Sequence, residues 1–487
     1  MESIKEQTFK GVAWNTISRF SNLGIQFVVG IILARLLTPE DYGVIGMLAI
    51  FIAIGSTFVD SGFTSALIQK QDLKDIDNST AFYFNIVVAF LFYGILFVCA
   101  PWIAAFFDMQ ILTDVTRVAA LNIVINSFTA VQQALYKKKI DFKTIAIVGI
   151  VATLLSGTVG IWMAYNNYGV WALVFQQLVT AVVTSVFLWI FSKWKPMWAF
   201  SWKSFKEMFS YGSKILGASL LSIVYVHGEK LAIGKFYSTE QLGLYTKGTQ
   251  MSLLCSSNVT TILSTVTFPI FSIIQDDDER LINIYRRYVK FTSLVIFFLM
   301  LLLVALAKPI ILFLYTTKWA GAVIFLQVIA FSMMFDHISA LNLNVFYVKG
   351  RSDIVLKLEF IKRVMSIGIL IVAIPFGVLA ICLSKVIYEQ IAMVINTYYT
   401  GKMFSYGFFQ QWKDFGVYFL LSLIAVIPAF LLTFMSLPYI VILIIGALVS
   451  TGLYVGILKL KKDEIFNEYV VSEIKKRLYR FFKKLSN

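Results

Sequence analysis

Residues 34–44 read Ala34-Arg35-Leu36-Leu37-Thr38-Pro39-Glu40-Asp41-Tyr42-Gly43-Val44, and 200 positions later the chain reads Gly234-Lys235-Phe236-Tyr237-Ser238-Thr239-Glu240-Gln241-Leu242-Gly243-Leu244. Both copies run basic residue, two apolar residues, Ser or Thr, then a Glu and a Gly at matching positions. Thr38 and Ser238 suit the N-cap of a following helix, and Glu40 and Glu240 favour its positive end. Each copy sits between the first and second long apolar stretch of a set of six. Six spans per set give both sets the same orientation, so the axis relating them runs along the membrane normal.

Outward from this repeat, the 487 residues are 59% hydrophobic and 14% charged, with a mean hydropathy of +0.79. Soluble domains carry about 25% charged residues, so this apolar surface needs a bilayer rather than a set of water-soluble cores. Fourteen stretches, from 11–35 to 438–460, are long and apolar enough to span. The expected fold is an all-α polytopic membrane protein: two six-helix lobes related by pseudo-twofold symmetry plus two C-terminal helices. The boundaries read 1–192 for the N-lobe, 193–207 for an interfacial linker, 208–400 for the C-lobe, 401–460 for the last two spans and 461–487 for a basic tail. The linker is expected to be an amphipathic helix, because Trp194, Trp198, Trp202, Phe205 and Phe209 recur at helical spacing among Lys195, Lys203 and Lys206. The tail repeats that pattern, with Phe466, Tyr469, Ile474 and Leu478 against Lys475, Lys476 and Arg477.

The formal net charge is +15. With the N-terminus inside, 32 of the 42 basic residues fall in cytoplasmic segments and five in outer loops. That asymmetry places both termini in the cytoplasm and explains the charge by topology, with no need for nucleic acid. Cys99, Cys255 and Cys382 are scattered in apolar stretches, which indicates neither a disulfide framework nor a metal site. The first apolar run is too long for a cleaved signal peptide and reads as a first span.

The run from Ile31 to Gly43, followed by Asp60-Ser61-Gly62-Phe63-Thr64-Ser65-Ala66-Leu67-Ile68, resembles the N-terminal signature of the bacterial polysaccharide transporter family. These are the Wzx-type flippases of the multidrug, oligosaccharidyl-lipid and polysaccharide exporter superfamily. The resemblance implies two lobes around a central cavity, and alternating access that moves an undecaprenyl-diphosphate-linked oligosaccharide outward for O-antigen, lipopolysaccharide, capsule or exopolysaccharide. It implies a transporter of the bacterial inner membrane rather than an enzyme, with the glycan lipid and membrane lipids as partners. A polysaccharide polymerase and glycosyltransferases are the neighbours such a pathway would supply.

Charges inside spans are the candidate site residues, because each is expensive there. Arg19 and Asp60 lie at matching depth on the first two spans. Arg19 suits a lipid diphosphate through paired hydrogen bonds, or an ion pair with Asp60. Asn15, Asn22 and Gln26 continue one polar stripe with Arg19, suited to sugar hydroxyls or to helix–helix bonds. In the second set, Lys214, Lys230 and Lys247 are further cationic candidates, with Glu229 as an ion-pair partner beside His227. Asp336 with His337, and the Lys385/Glu389 pair at i, i+4, are the candidates for energy coupling. The chain has no GxxxxGK[ST] phosphate loop, so a proton or sodium gradient, or the membrane potential, is the expected energy source, without a bound cofactor or metal. Two other readings stand beside the flippase. A multidrug extruder of organic cations would want an acidic cavity, and a membrane-embedded polymerase would want a large outer loop with paired acids.

Overall fold

A computed structural model describes the backbone of residues 4–472 and, within that range, the side chains other than those of 4–13, 15, 257–266 and 470–471. Regular structure among the described residues is helical throughout. The chain divides into two compact units, Met1–Gly243 and Leu244–Asn487. The first contains α1 (Ile4–Leu36), α2 (Pro39–Asp60), α3 (Phe63–Gln69), α4 (Asp75–Phe106), α5 (Leu112–Ala119), α6 (Leu121–Ser127), α7 (Ala130–Lys138), α8 (Phe142–Tyr165), α9 (Val170–Phe191) and α10 (Trp202–Phe236). Next comes α11 (Thr239–Ile273), whose first turn belongs to the first unit. The second unit continues with α12 (Asp278–Ala305), α13 (Ala307–Tyr315), α14 (Ala322–Met333), α15 (Asp336–Val348), α16 (Ser352–Ala373), α17 (Val378–Phe404), α18 (Phe408–Leu432) and α19 (Tyr439–Leu460).

Every stretch expected to span is helical over most of its length, several as broken pairs. Among the described residues eleven helices are long and apolar enough to cross a membrane, twelve with the bent α5–α7 segment. The expected fourteen is therefore not reproduced by that measure. One of the remaining helices, α16, carries Lys357, Glu359, Lys362 and Arg363 within its length. Outward faces fit a bilayer: Val87, Leu91, Val98 and Trp102 of α4 are 59–67% exposed, an arrangement that water would penalise.

The repeated turns are built as their residues dictate. Thr38 N–H donates to Asp41 Oδ2 (2.9 Å) and Asp41 N–H donates to Thr38 Oγ1 (3.4 Å), so Asp41 rather than Glu40 closes the capping box. Gln241 N–H donates to Ser238 Oγ (3.2 Å) in the second copy. The two turns meet within the first unit. A Cβ on Gly43 would fall 2.0 Å from the Thr239 carbonyl oxygen, and one on Gly243 would fall 1.7 Å from that of Pro39. Only glycine permits backbones this close.

The segment expected as one amphipathic helix over 194–209 differs in its first half. Residues 192–201 are not helical, and the helix starts at Trp202 and runs unbroken to Phe236. Pro196 cannot donate to a helical ladder. The extended chain is instead tied to the first turns of α4, where Met197 N–H donates to Ser79 Oγ (2.9 Å) and Ser201 N–H to Thr80 Oγ1 (3.0 Å). Trp194 meets Phe82 edge-on at 5.8 Å, while Trp198 stacks at 6.1 Å on Tyr83 and is 97% exposed. Most of the expected amphipathic tail, 473–487, lies outside the described residues.

In the second unit α18 lies against α12 and α19. Tyr454 stacks on Phe298 at 4.5 Å and its hydroxyl donates to the Leu294 carbonyl (2.8 Å). These contacts hold the two extra C-terminal helices on the unit.

Candidate functional site

Asp60 ends α2 because Ser61 and Gly62 both adopt left-handed backbone, with φ of 44° and 70°, before the chain restarts as α3. Gly62 also meets the backbone of Gly212, so a side chain there has neither the conformation nor the room. Near this break the α5–α7 segment bends by 41° between Ser127 and Ala130. A cavity of about 370 Å³ opens against both interruptions, lined by Ser56, Asp60, Asn126, Gln133 and Lys137 among others. Two amides, hydroxyls, a carboxylate and an ammonium supply donors and acceptors together, which suits a polyhydroxylated or phosphorylated ligand. Of these only Asp60 was expected. Asn126, Gln133 and Lys137 recur at spacings of seven and four, the spacing of one helix face, a signal that a search for charges inside spans passes over.

Along α1 the polar stripe divides. Asn22 Oδ1 accepts from Thr153 Oγ1 (3.2 Å) and its amide donates to Ser18 Oγ (3.3 Å), which ties α1 to α8. Arg19 and Gln26 are exposed, and the side chain of Asn15 is outside the described set. On α10, Lys214 is exposed while Glu229 and Lys230 are half-buried.

In the second unit Lys247 is only 2% exposed, its ammonium 4.7 Å from the Tyr315 ring centroid and 5.8 Å from that of Trp319. A ligand would have to displace this aromatic cover to reach it. Asp336 is the first residue of α15, just past a break after α14. Its carboxylate accepts from Ser256 Oγ (3.4 Å) and feels the charges of Glu389 and Lys385 on α17. The expected Asp336/His337 pair does not form. His337 is buried, with Nδ1 2.8 Å from the Met334 carbonyl and Nε2 2.9 Å from Ser293 Oγ. Its Nδ1–H can only donate to that carbonyl, which leaves Nε2 to accept from Ser293. Adjacent helical residues point about 100° apart, and here the acid reaches Ser256 of α11 while the imidazole reaches Ser293 of α12. The two coupling candidates that sequence kept separate, Asp336 and the Lys385/Glu389 pair, are thus one electrostatic group.

Two further polar constructions were missed. Asn342 and Gln411 exchange amide hydrogen bonds (3.1 Å each way), and Tyr285 donates to Gln411 Oε1 (3.3 Å), all buried. Asp414, 7% exposed, accepts from Arg286 Nε (2.8 Å) and Nη2 (3.2 Å) and from Tyr406 (2.7 Å), with Lys290 at 3.1 Å. No local pattern in the sequence sets these residues apart, because, Tyr406 aside, their partners lie 69 to 128 positions away. Between the spans, Lys70 binds Asp77 and Glu207, each at 3.1 Å. Burial lowers its pKa, but the bonds to Glu207 and Asp77 outweigh that and raise it above the usual lysine value of 10.5.

Known proteins place this architecture. A family model described as a polysaccharide biosynthesis protein matches residues 32–324. The teichuronic acid biosynthesis protein TuaB of Bacillus subtilis (strain 168) is 27% identical over 356 residues, 73% of this chain and 74% of its own. The lipopolysaccharide biosynthesis protein WzxC of Escherichia coli (strain K12) is 20% identical over 398 residues, 81% of this chain and 80% of its own. Among solved structures, the lipid II flippase MurJ in an inward closed conformation superposes with a TM-score of 0.75 at 15% identity, over 91% of this chain and 98% of its own. An inward-facing multidrug resistance MATE transporter gives 0.64, also at 15% identity, over 78% of this chain and 94% of its own. Those likenesses fix the fold, a two-lobe multi-pass membrane architecture. With its family model covering well over half of the residues, the chain belongs to the polysaccharide biosynthesis protein family.

Proposed function

We propose that this protein is a flippase that carries lipid-diphosphate-linked oligosaccharide units across the bacterial cytoplasmic membrane, with both termini in the cytoplasm. Family membership carries the reading, because its relatives are named for teichuronic acid and lipopolysaccharide biosynthesis. The cavity bounded by Asp60, Asn126, Gln133 and Lys137 supports it, since its mixed donors and acceptors match sugar hydroxyls. Arg19, exposed on α1, and Lys214 and Lys230 on α10 take the diphosphate in this reading, and Gln26 contacts the glycan. Buried Lys247 and the α8-bonded Asn22 are left to hold the fold. A cationic first span also argues against an extruder of organic cations.

Coupling falls to Asp336, Glu389 and Lys385. Two carboxylates and one ammonium leave one negative charge in excess, which a proton or Na⁺ neutralises. Loss of that ion would then bias the α14–α15 break.

The test is reconstitution into liposomes with a fluorescent lipid-diphosphate saccharide under imposed pH, Na⁺ or voltage gradients. Wild type moves the lipid. Arg19→Ala raises the half-saturating lipid concentration about tenfold, as expected for one lost charge-assisted contact. Asp336→Asn moves lipid without responding to the gradient. No lipid movement by wild type under any gradient would refute the function, and an unchanged Arg19→Ala would remove that residue from the site.

A further inference from the structure

A second cavity in the first unit, of about 430 Å³, lies where the α7–α8 turn meets the end of α9 and the strap that follows. We propose that it binds the phosphodiester headgroup of a membrane phospholipid, at a place distinct from the transport cavity, with which it shares no lining residue.

Three observations carry this. First, Lys139 and Lys193 line the cavity from two separate segments, and both are exposed. They belong to the densest basic zone of the first unit: residues 137–143 hold four lysines and 193–206 another four, against one acid, Asp141. Other members of the zone are already engaged. Lys138 is hydrogen-bonded to the Leu67 and Lys70 carbonyls, and Lys143 lies 5.7 Å from the Trp14 ring centroid. Asp141 also lines the cavity, but it accepts from Thr144 N–H (3.1 Å) and Thr144 Oγ1 (2.8 Å) as the cap of α8. Its charge is therefore directed at the helix end.

Second, the wall is amphipathic in the order a lipid needs. Ile147 of α8 and Phe191 of α9 line the same cavity and are 41% and 48% exposed, while the lysines stand at the helix ends. The lysines would meet the phosphate and the apolar pair the first methylenes. A basic hollow between helix ends, with apolar flanks facing the bilayer, is the arrangement that holds anionic headgroups. A free phosphate would leave Ile147 and Phe191 without a partner.

Third, Trp194 lines this cavity, and its indole N–H is buried with no acceptor among the described residues. A buried donor of this kind is ordinarily satisfied, and a phosphate or glycerol oxygen can accept from it.

Native mass spectrometry of the purified full chain reads the proposal directly, titrating with phosphatidylglycerol, phosphatidylcholine, diacylglycerol or inorganic phosphate. Wild type retains phosphatidylglycerol in preference to diacylglycerol, and millimolar inorganic phosphate does not displace it. The double variant Lys139→Gln/Lys193→Gln weakens retention about 30-fold, the effect of two lysines near a lipid surface. A charge-matched control, Lys195→Gln/Lys206→Gln, changes it by less than about threefold, because neither lysine lines the cavity and exposed charges away from a bound headgroup are screened. Both replaced pairs are exposed, so each variant folds, which a single symmetric gel-filtration peak verifies. Equal losses in the two double variants, no loss in either, or displacement by inorganic phosphate would each overturn the proposal.

Discussion

Alanine at Gly243 would put its Cβ 1.7 Å from the Pro39 carbonyl oxygen, where real Cβ contacts essentially never fall below 3.0 Å. The two turns must therefore separate by about 1.3 Å or the helices must slide. No flexible side chain can absorb the change, since the obstacle is backbone on a helix whose cap is already bonded. Overpacking of this kind costs about 1–3 kcal/mol. If the turns part and rejoin during transport, that disfavours the joined state roughly 5- to 150-fold. Spin labels at Glu40→Cys and Glu240→Cys, both exposed, report the separation in a background lacking Cys99, Cys255 and Cys382. Gly243→Ala lengthens the mean distance and enlarges the long-distance population. Gly94→Ala and Gly217→Ala, whose new methyl groups meet nothing within 4 Å, leave it unchanged. A Gly243→Ala distribution identical to wild type would refute the claim that backbone contact at the repeated turn sets this separation.

Two other outcomes follow from the polar constructions. Asn342→Leu strips Gln411 of its reciprocal amide and destabilises by roughly 1–3 kcal/mol; adding Gln411→Met also takes the acceptor from the buried Tyr285 hydroxyl, so the double variant is less stable than either single but by less than their sum, because the shared amide pair is lost only once. Thermal unfolding in detergent ranks the three proteins, and a double variant worse than the sum of its singles would contradict this. Lys70→Met removes the bonds to Asp77 and Glu207 and lowers the unfolding temperature by a few degrees, about 1–2 kcal/mol. A raised lysine pKa contributes stability that is complete below 10.5 and is lost only as pH climbs through the higher folded value. The difference between wild type and Lys70→Met is therefore flat from pH 6 to 9, and a difference that fades across that window would count against the pairing.

Much of the fold was legible in one dimension. Apolar stretches of spanning length, the turn repeated at 200 residues and the lopsided basic residues are all local or periodic signals. They survive without knowledge of contacts because a bilayer forces each span to satisfy its own backbone. Thr38 and Ser238 cap their helices as their residue types dictate, although the box at the first turn closes through Asp41. Proline and local hydrogen bonding overrode periodicity in the strap before Trp202, where the aromatic spacing was real but the backbone found better partners on α4.

Residue types and element order therefore followed from sequence: which helices carry charge and which turns repeat. Partnership did not. Only tertiary packing decided that Asn22 bonds α8 and that Lys247 lies under aromatic rings. The same holds for His337 reaching Ser293 while Asp336 reaches Ser256 and feels Lys385 and Glu389, and for the gathering of Asn126, Gln133 and Lys137 around Asp60. The reason is geometric. A span's depth is counted along one chain, but its rotation about its own axis is set by neighbours far away in sequence, and rotation chooses which polar groups meet.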